Sequence, residues 1–327
     1  MKKTFFLIRL FAILLLTSSF LNAQDLDRID SLLNQKYPSN TPGASFLIAK
    51  KDKIIYKKAF GLSNLELKTP MESDHVFEIG SITKQFTAVA ILILVEQGKL
   101  NLEDDITKFI PDYPSKGRKI TIHHLLTHTS GIKNFTNIKG LSKIAQKNLT
   151  PIELIDFFKN EPMDFAPGEK FKYNNSGYVL LGYVIEKTAG VSYADFIDKQ
   201  IFKKLKMNSS YYASHQKIIP KRASGYHFRK NYINKRKISH TILYASGALM
   251  STVHDLNLWQ NALKNYTLLN KQTTQLAFTN HKLNNGKYIN YGYGWHLETT
   301  DGIKRIEHGG FVFGLDAALI SGTVKYL

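Results

Sequence analysis

The sequence predicts an α+β fold in which an antiparallel sheet, assembled from the two ends of the chain, is flanked by helices and carries an inserted, mainly helical region. Three observations lead there. Two short apolar runs separated by a polar turn lie near the start, a long and almost unbroken apolar run follows, and strand-like text returns only near the end. The chain has 327 residues, 43% of them apolar and 12% aromatic, which suffices for a large buried core and excludes a solvated tail. There is no cysteine, so disulfides, thiolate zinc sites, iron–sulfur clusters, a cysteine nucleophile and a cysteine-linked lipid anchor are excluded. No cofactor is implied.

Along the chain, Lys2, Lys3 and Arg9 precede the apolar run Leu10–Leu16, followed by Thr17, Ser18, Ser19 and the small residue Ala23. This layout predicts a secretory signal peptide over residues 1–23, cut near Ala23, and a secreted or periplasmic product. The uncharged stretch from Leu10 to Asn22 falls short of the roughly 20 apolar residues a membrane span needs, so no stable span is expected after processing. An uncleaved anchor is the alternative. Lys and Arg total 44 against 26 Asp and Glu, a formal charge of +18. The basic residues are scattered except near Lys217 to Lys237, and export argues against nucleic-acid binding. Weak, salt-dependent attraction to anionic wall polymers or lipids is the simpler expectation.

A helix is expected around Leu26 to Lys36, then a hairpin of Ala44–Lys50 and Ile54–Ala59 across Lys51-Asp52-Lys53. From Phe86 to Val95 the text is almost wholly apolar, the pattern of a buried helix opening at Ser81. Helical patterns recur over residues 151–160, 177–188, 193–204 and 253–264, and strand-like text over Tyr291–His296 and Ile303–Ile320. The expected division is a sheet region from residues 24–80 and 291–327 and a helical region from 81–290, together one catalytic domain.

Ser81-Ile82-Thr83-Lys84 places a hydroxyl and an amine three residues apart, close to one helical turn, so both project from one face. Serine is a weak nucleophile until a neighbour takes its proton, and a desolvated lysine can do so. Ser130…Lys133 and Ser214…Lys217 share the spacing, but only Ser81 follows an apolar lead-in and opens a long buried helix. Tyr173-Asn174-Asn175 offers a phenol and an amide two residues on, a pattern repeated at Tyr232…Asn234 and Tyr288…Asn290. His308-Gly309-Gly310 occurs once, with two glycines that permit close backbone approach or a simple bend. His123, His124 and His128 suggest a metal, yet no cysteine or His-Glu-x-x-His pattern supports one, and none is expected.

In order and spacing these segments resemble the serine β-lactamase and penicillin-binding DD-peptidase superfamily, in its class C-like branch with esterase and peptidase relatives. The resemblance is carried by Phe77–Phe86, Ile120–Gly131, Phe165–Glu169 leading into Tyr173-Asn174-Asn175, Ala245–Leu249 and Tyr291–Trp295. It implies a β-lactamase/transpeptidase-like fold, with Ser81 as acylated nucleophile, Lys84 as its base and Tyr173 as proton shuttle. It further implies that Asn175 and the strand triplet His308, Gly309 and Gly310 hold substrate. The backbone N–H groups of Ser81 and Phe311 would form the oxyanion hole. His308 stands where the family has lysine, and a neutral imidazole there favours esterase or peptidase chemistry over efficient β-lactam hydrolysis. Lys206 stands where the family usually has glycine. Only Leu315–Ile320 is available for the two strands and helix that the resemblance places after His308, so the C-terminal strand and helix are expected to be missing.

The resulting expectation is an exported serine hydrolase acting on a small ester, peptide or β-lactam, with peptidoglycan as a candidate partner. The alternative is a non-hydrolytic penicillin- or cell-wall-binding module, or a truncated inactive homologue.

Overall fold

The computed structural model describes residues 23–300, 302–312 and 314–322. Apart from Ala23, the expected signal peptide lies outside the described residues. Two compact units are present, one within residues 23–75 and one over residues 76–322.

The first unit opens with helix α1 (Ala23–Lys36), whose Ile29 and Leu33, four residues apart on one face, are buried with Tyr56. Asp30 on the same helix accepts a 2.6 Å hydrogen bond from Tyr56 Oη and pairs with Lys58. Strands β1 (Ala44–Lys50) and β2 (Lys53–Phe60) form an antiparallel hairpin from Ala44 opposite Phe60 to Lys50 opposite Lys53. The reversal is made by Lys51 (φ 48°) and Asp52 (φ 65°), the two left-handed residues a tight hairpin requires. A small ribbon of β3 (Leu62–Asn64) and β4 (Thr69–Pro70) follows. Among the described residues, β1 and β2 form a two-stranded sheet of their own.

In the second unit, β5 (Phe77–Glu78) leads through a 3₁₀ turn, Gly80–Ile82, into α2 (Thr83–Glu96). Every residue of α2 from Thr83 to Leu94 is buried, as its unbroken apolar text requires of a central helix. Phe86 stacks on Trp259 at 4.1 Å, and the Trp259 indole N–H donates to Gln85 at 3.0 Å. Helices α3 (Ile122–Leu126) and α4 (Pro151–Phe158) pack on α5 (Asn175–Ala189), which packs in turn against α2. Thr121 and His124 close a capping box on α3, and Thr150 and Glu153 close another on α4. Asn174 caps α5, and Gly190 ends it.

Residues Tyr193–Leu205 run as consecutive helical turns that stop at Lys206, held at φ 56°. Strands β6 (Tyr211–Tyr212), β7 (Tyr226–Phe228) and β8 (Tyr232–Asn234) precede α6 (His240–Gly247) and β9 (Leu249–Ser251). The sheet order is β5-β9-β6, with β7 and β8 as a separate hairpin. After α7 (Val253–Lys264), strands β10 (His296–Thr300), β11 (Ile303–Val312) and β12 (Leu315–Gly322) form an antiparallel sheet in that order.

The strand expected over Tyr291–His296 begins only at His296. Gly294 holds φ 91°, and Tyr291 meets His296 through a single bridge, so this segment is a turn. The text from Ile303 to Ile320 is two strands, reversed between Val312 and Leu315.

Candidate active site

Ser81 lies in the 3₁₀ turn and is half-buried, while Lys84, one turn on, is fully buried. Lys84 Nζ lies 3.2 Å from Ser81 Oγ, 2.8 Å from Asn175 Oδ1 and 2.8 Å from the Ser246 carbonyl oxygen. It also sits 4.8 Å from the Tyr173 ring centre and 5.5 Å from that of Tyr178. None of these neighbours is a carboxylate, and burial pushes the Lys84 pKa well below its ordinary value. The Asn175 and Ser246 oxygens can only accept. A neutral amine therefore spends its two protons on them, and its lone pair is left for the Ser81 hydroxyl.

The Ser246 carbonyl reaches Lys84 because α6 is kinked. Tyr244 holds φ 38° and ψ −135°, outside helical space. The next two carbonyls turn onto α2, with Ala245 O accepting from Thr87 Oγ1 at 2.7 Å and Ser246 O from Lys84. A backbone conformation of this kind costs about 1–3 kcal/mol and persists only where packing enforces it.

The structure brings Tyr173 to the same place. Its ring keeps some exposure while its hydroxyl is buried with no hydrogen-bond partner. Burial pushes the phenol pKa up, and the nearby Ser81 hydroxyl pulls weakly the other way. Across from the Ser81 turn runs β11. A Cβ on Gly310 would fall 1.9 Å from Ile79 O and 3.2 Å from Ser81 N, and one on Gly80, at φ 52°, would fall 2.7 Å from Phe311 N. The two backbones are in direct contact here, at a distance only glycine permits. Phe311 follows on the strand and is 59% exposed.

His308, on the same strand, is buried and joined to a chain of neutral groups. The Asn174 N–H donates to His128 Nδ1 at 3.1 Å, which leaves the His128 proton on Nε2. That nitrogen lies 3.2 Å from Tyr291 Oη, which in turn lies 3.2 Å from His308 Nε2. His308 Nδ1 lies 2.6 Å from its neighbour's carbonyl, Gly309 O, and so carries the proton. Every proton thus has one consistent position. Burial, with Lys84 and the other histidines adding repulsion, pushes both imidazole pKa values well below the usual range. The His308 ring lies 6.0 Å from that of Tyr173 and 5.1 Å from that of His296.

The similar motifs go elsewhere. Ser130 Oγ accepts from Ile132 N, and Lys133 pairs with Asp164 at 2.9 Å. Ser214 caps the N–H groups of Gln216 and Lys217. Tyr232 and Asn234 lie on an exposed strand, and Asn290 is bonded to Asn280. The three clustered histidines separate as well: His123 bonds Tyr293 Oη at 2.8 Å, His124 accepts from Thr121 N, and His128 belongs to the chain above. Sequence reasoning did not find Tyr178, Tyr291, His296 or the Ser246 carbonyl as members of the site. Tyr291 and Ser246 do lie in two of the segments that carry the family resemblance.

A half-buried serine faces a desolvated lysine one turn away, with a phenol beside them and a glycine-bearing strand edge opposite, which is the side-chain arrangement of the Ser-x-x-Lys type. The chain belongs to the beta-lactamase family, whose model, described as Beta-lactamase, matches residues 30–320. It is 32% identical to penicillin-binding protein 4* of Bacillus subtilis over 302 residues, 87% of this chain and 66% of that protein. It is 30% identical to protein Flp of Staphylococcus aureus over 238 residues, 71% of this chain and 47% of that one. The chain thus spans a little under two thirds of one curated relative and about half of the other. An octameric penicillin-binding protein homologue from Pyrococcus abyssi superposes with a TM-score of 0.78 at 31% identity, over 93% of this chain and 71% of that one. The D-amino acid amidase of Ochrobactrum anthropi, solved with D-phenylalanine, gives 0.75 at 25% identity, over 88% and 85%. The architecture is the β-lactamase/penicillin-binding-protein fold, as the sequence predicts.

Proposed function

We propose that this chain is an exported serine hydrolase that cleaves an ester or amide through an acyl-enzyme on Ser81. The observation that carries the reading is Lys84: fully buried, unpaired with any carboxylate, and 3.2 Å from the serine oxygen. In acylation, Lys84 takes the Ser81 proton as Oγ bonds to the substrate carbonyl carbon. The backbone N–H groups of Ser81 and Phe311 stabilise the oxyanion. Tyr173, kept protonated by burial, passes its proton to the leaving group as the scissile bond breaks, and the proton held by Lys84 restores it. Water then attacks the acyl carbon, with its proton moving along the same groups in reverse. Asn175 orients Lys84 and holds substrate beside the His308-Gly309-Gly310 edge.

The neutral His308 supplies no fixed charge at the strand triplet, which favours simple esters and D-amino-acid amides or peptides over β-lactams. The D-amino acid amidase relative supports D-amino-acid amides as substrates, while the name of the penicillin-binding relative keeps a β-lactam among the ligands to test. Peptidoglycan is the candidate macromolecular partner. Residues 1–23 are the proposed signal that delivers the protein to a secreted or periplasmic location. The test is intact mass after reaction with a fluorophosphonate probe, run beside p-nitrophenyl acetate turnover. A single adduct on Ser81 and turnover that is lost in Ser81→Ala are expected. Absence of an adduct on folded protein would overturn the reading and leave a binding module.

A further inference from the structure

The basic cluster between Lys217 and Lys237 takes no part in this chemistry, yet the structure gathers part of it around a cavity. The cavity has a volume of about 290 Å³, and its walls include Glu78, Arg222, Lys235, Arg236, Lys237 and Val312. Two of these come from the elements that build the catalytic centre. Glu78 ends β5, three residues before Ser81, and Val312 follows Phe311 on β11.

The charges in the cavity do not balance. Glu78 is buried and uses one oxygen, Oε1, for both Arg222 at 2.9 Å and Lys235 at 2.5 Å. Its other oxygen is buried with no hydrogen-bond partner. Burial pushes the Glu78 pKa up, but the His240 hydrogen bond and the charge of Lys235 outweigh it and hold the carboxyl well below its usual range. His240, whose Nε2 lies 3.2 Å from Oε1, is pushed down by burial and stays neutral. Two cations therefore face one carboxylate, and burial pulls the Lys235 pKa down in spite of Glu78. Arg236 and Lys237 are exposed at the rim and add positive charge. A half-buried surplus of this sign attracts anions and repels cations. The surplus at depth is a single charge beside a planar guanidinium, which suits a monovalent, planar carboxylate.

The geometry points to a carboxylate-binding subsite that continues the catalytic centre past Phe311, so that the substrate carries a carboxylate on the portion lying beyond the strand edge. This rests on the Ser81 hydrolase reading. It places charge recognition away from His308, which is neutral, and onto Arg222 and Lys235 with the rim cations.

The test compares p-nitrophenyl monoesters of glutaric and suberic acid with the length-matched valerate and octanoate esters. A kcat/KM preference of at least fivefold is expected for a carboxylated ester over its neutral match, carried in KM and largely erased by 0.5 M sodium chloride. The preference should fall to near unity in the double variant Arg236→Gln/Lys237→Gln and in Lys235→Met. The rim variant guards against a folding defect in the buried one. Equal use of charged and neutral esters, or a preference that survives the rim variant and salt, would overturn the subsite. Failure of the catalytic reading is separable: glutarate and, in parallel, inorganic phosphate are titrated calorimetrically into folded Ser81→Ala. Glutarate binding that weakens in the rim variant supports the subsite even where no ester is hydrolysed. Tighter binding of phosphate, or no binding of either, overturns the carboxylate assignment.

Discussion

A lysine that gives up water without gaining a carboxylate holds its proton weakly, and Lys84 is in that position beside Ser81, Asn175 and the Ser246 carbonyl. Replacing it by arginine, which stays charged, should lower ester turnover on the order of 10³-fold with the fold retained, measured as kcat beside circular dichroism. In the proposed mechanism the working form of Lys84 is the neutral amine, so wild-type kcat/KM should fall as the pH is lowered through its depressed pKa. A pH profile checks this; one that is flat on the acid side would contradict it. Tyr291 links His128 to His308, so Tyr291→Phe leaves buried imidazole nitrogens without partners. It should destabilise the protein by about 1–3 kcal/mol per orphaned group, read from urea denaturation. Ser81 and Lys84 were legible in the sequence because their relation is local, one helical turn. The chain from His128 through Tyr291 to His308 was not, because it joins residues as far as 163 positions apart that no spacing rule connects.

At the scale of elements, the long apolar run announced α2, and the helical pattern over residues 151–160 announced α4, whose Thr150–Glu153 capping box emerged only in the structure. The segment Tyr291–His296 misled because its aromatic residues read as a strand, while Gly292 and Gly294 fold it into a turn that delivers Tyr291 to the site. The kink at Tyr244 had no sequence signal, since a tyrosine at φ 38° follows no local preference. Lys206 is a milder case: it ends its helix at φ 56°, a conformation glycine adopts without strain. Lys206→Gly should therefore stabilise the protein by about 0.5–1 kcal/mol and raise the midpoint of thermal unfolding. Gly310→Ala tests the contact between β11 and the Ser81 turn. A methyl group 1.9 Å from Ile79 O must push the strand away, so stability and ester turnover should fall together. Retention of full activity would show that the strand edge contributes nothing to the reaction.

For the molecule as a whole, acid is the expected weakness. His128 and His308 are buried and neutral, with pKa values far below 6.5, and His124 and His281 are pushed down to about 4, chiefly by burial. The unfolded chain takes up protons on these groups from about pH 6.5 downward while the folded chain refuses them. Stability should be full above that pH and drain as it falls toward 4, with Glu78 extending the loss below its ordinary value of 4.5. Unfolding midpoints measured from pH 8 to pH 4 would show the decline, and a constant midpoint would refute it. The Lys84 contacts carry a different consequence. Its two carbonyl acceptors lie 91 and 162 residues further along the chain, so they meet only after the chain has been made and folded at least as far as Ser246. Before that, Lys84 is an ordinary solvated ammonium with a pKa near 10.5, and Ser81 an ordinary alcohol. On the proposed Ser81 chemistry the nascent polypeptide is chemically silent, and labelling at Ser81 should count the molecules in which these segments have come together.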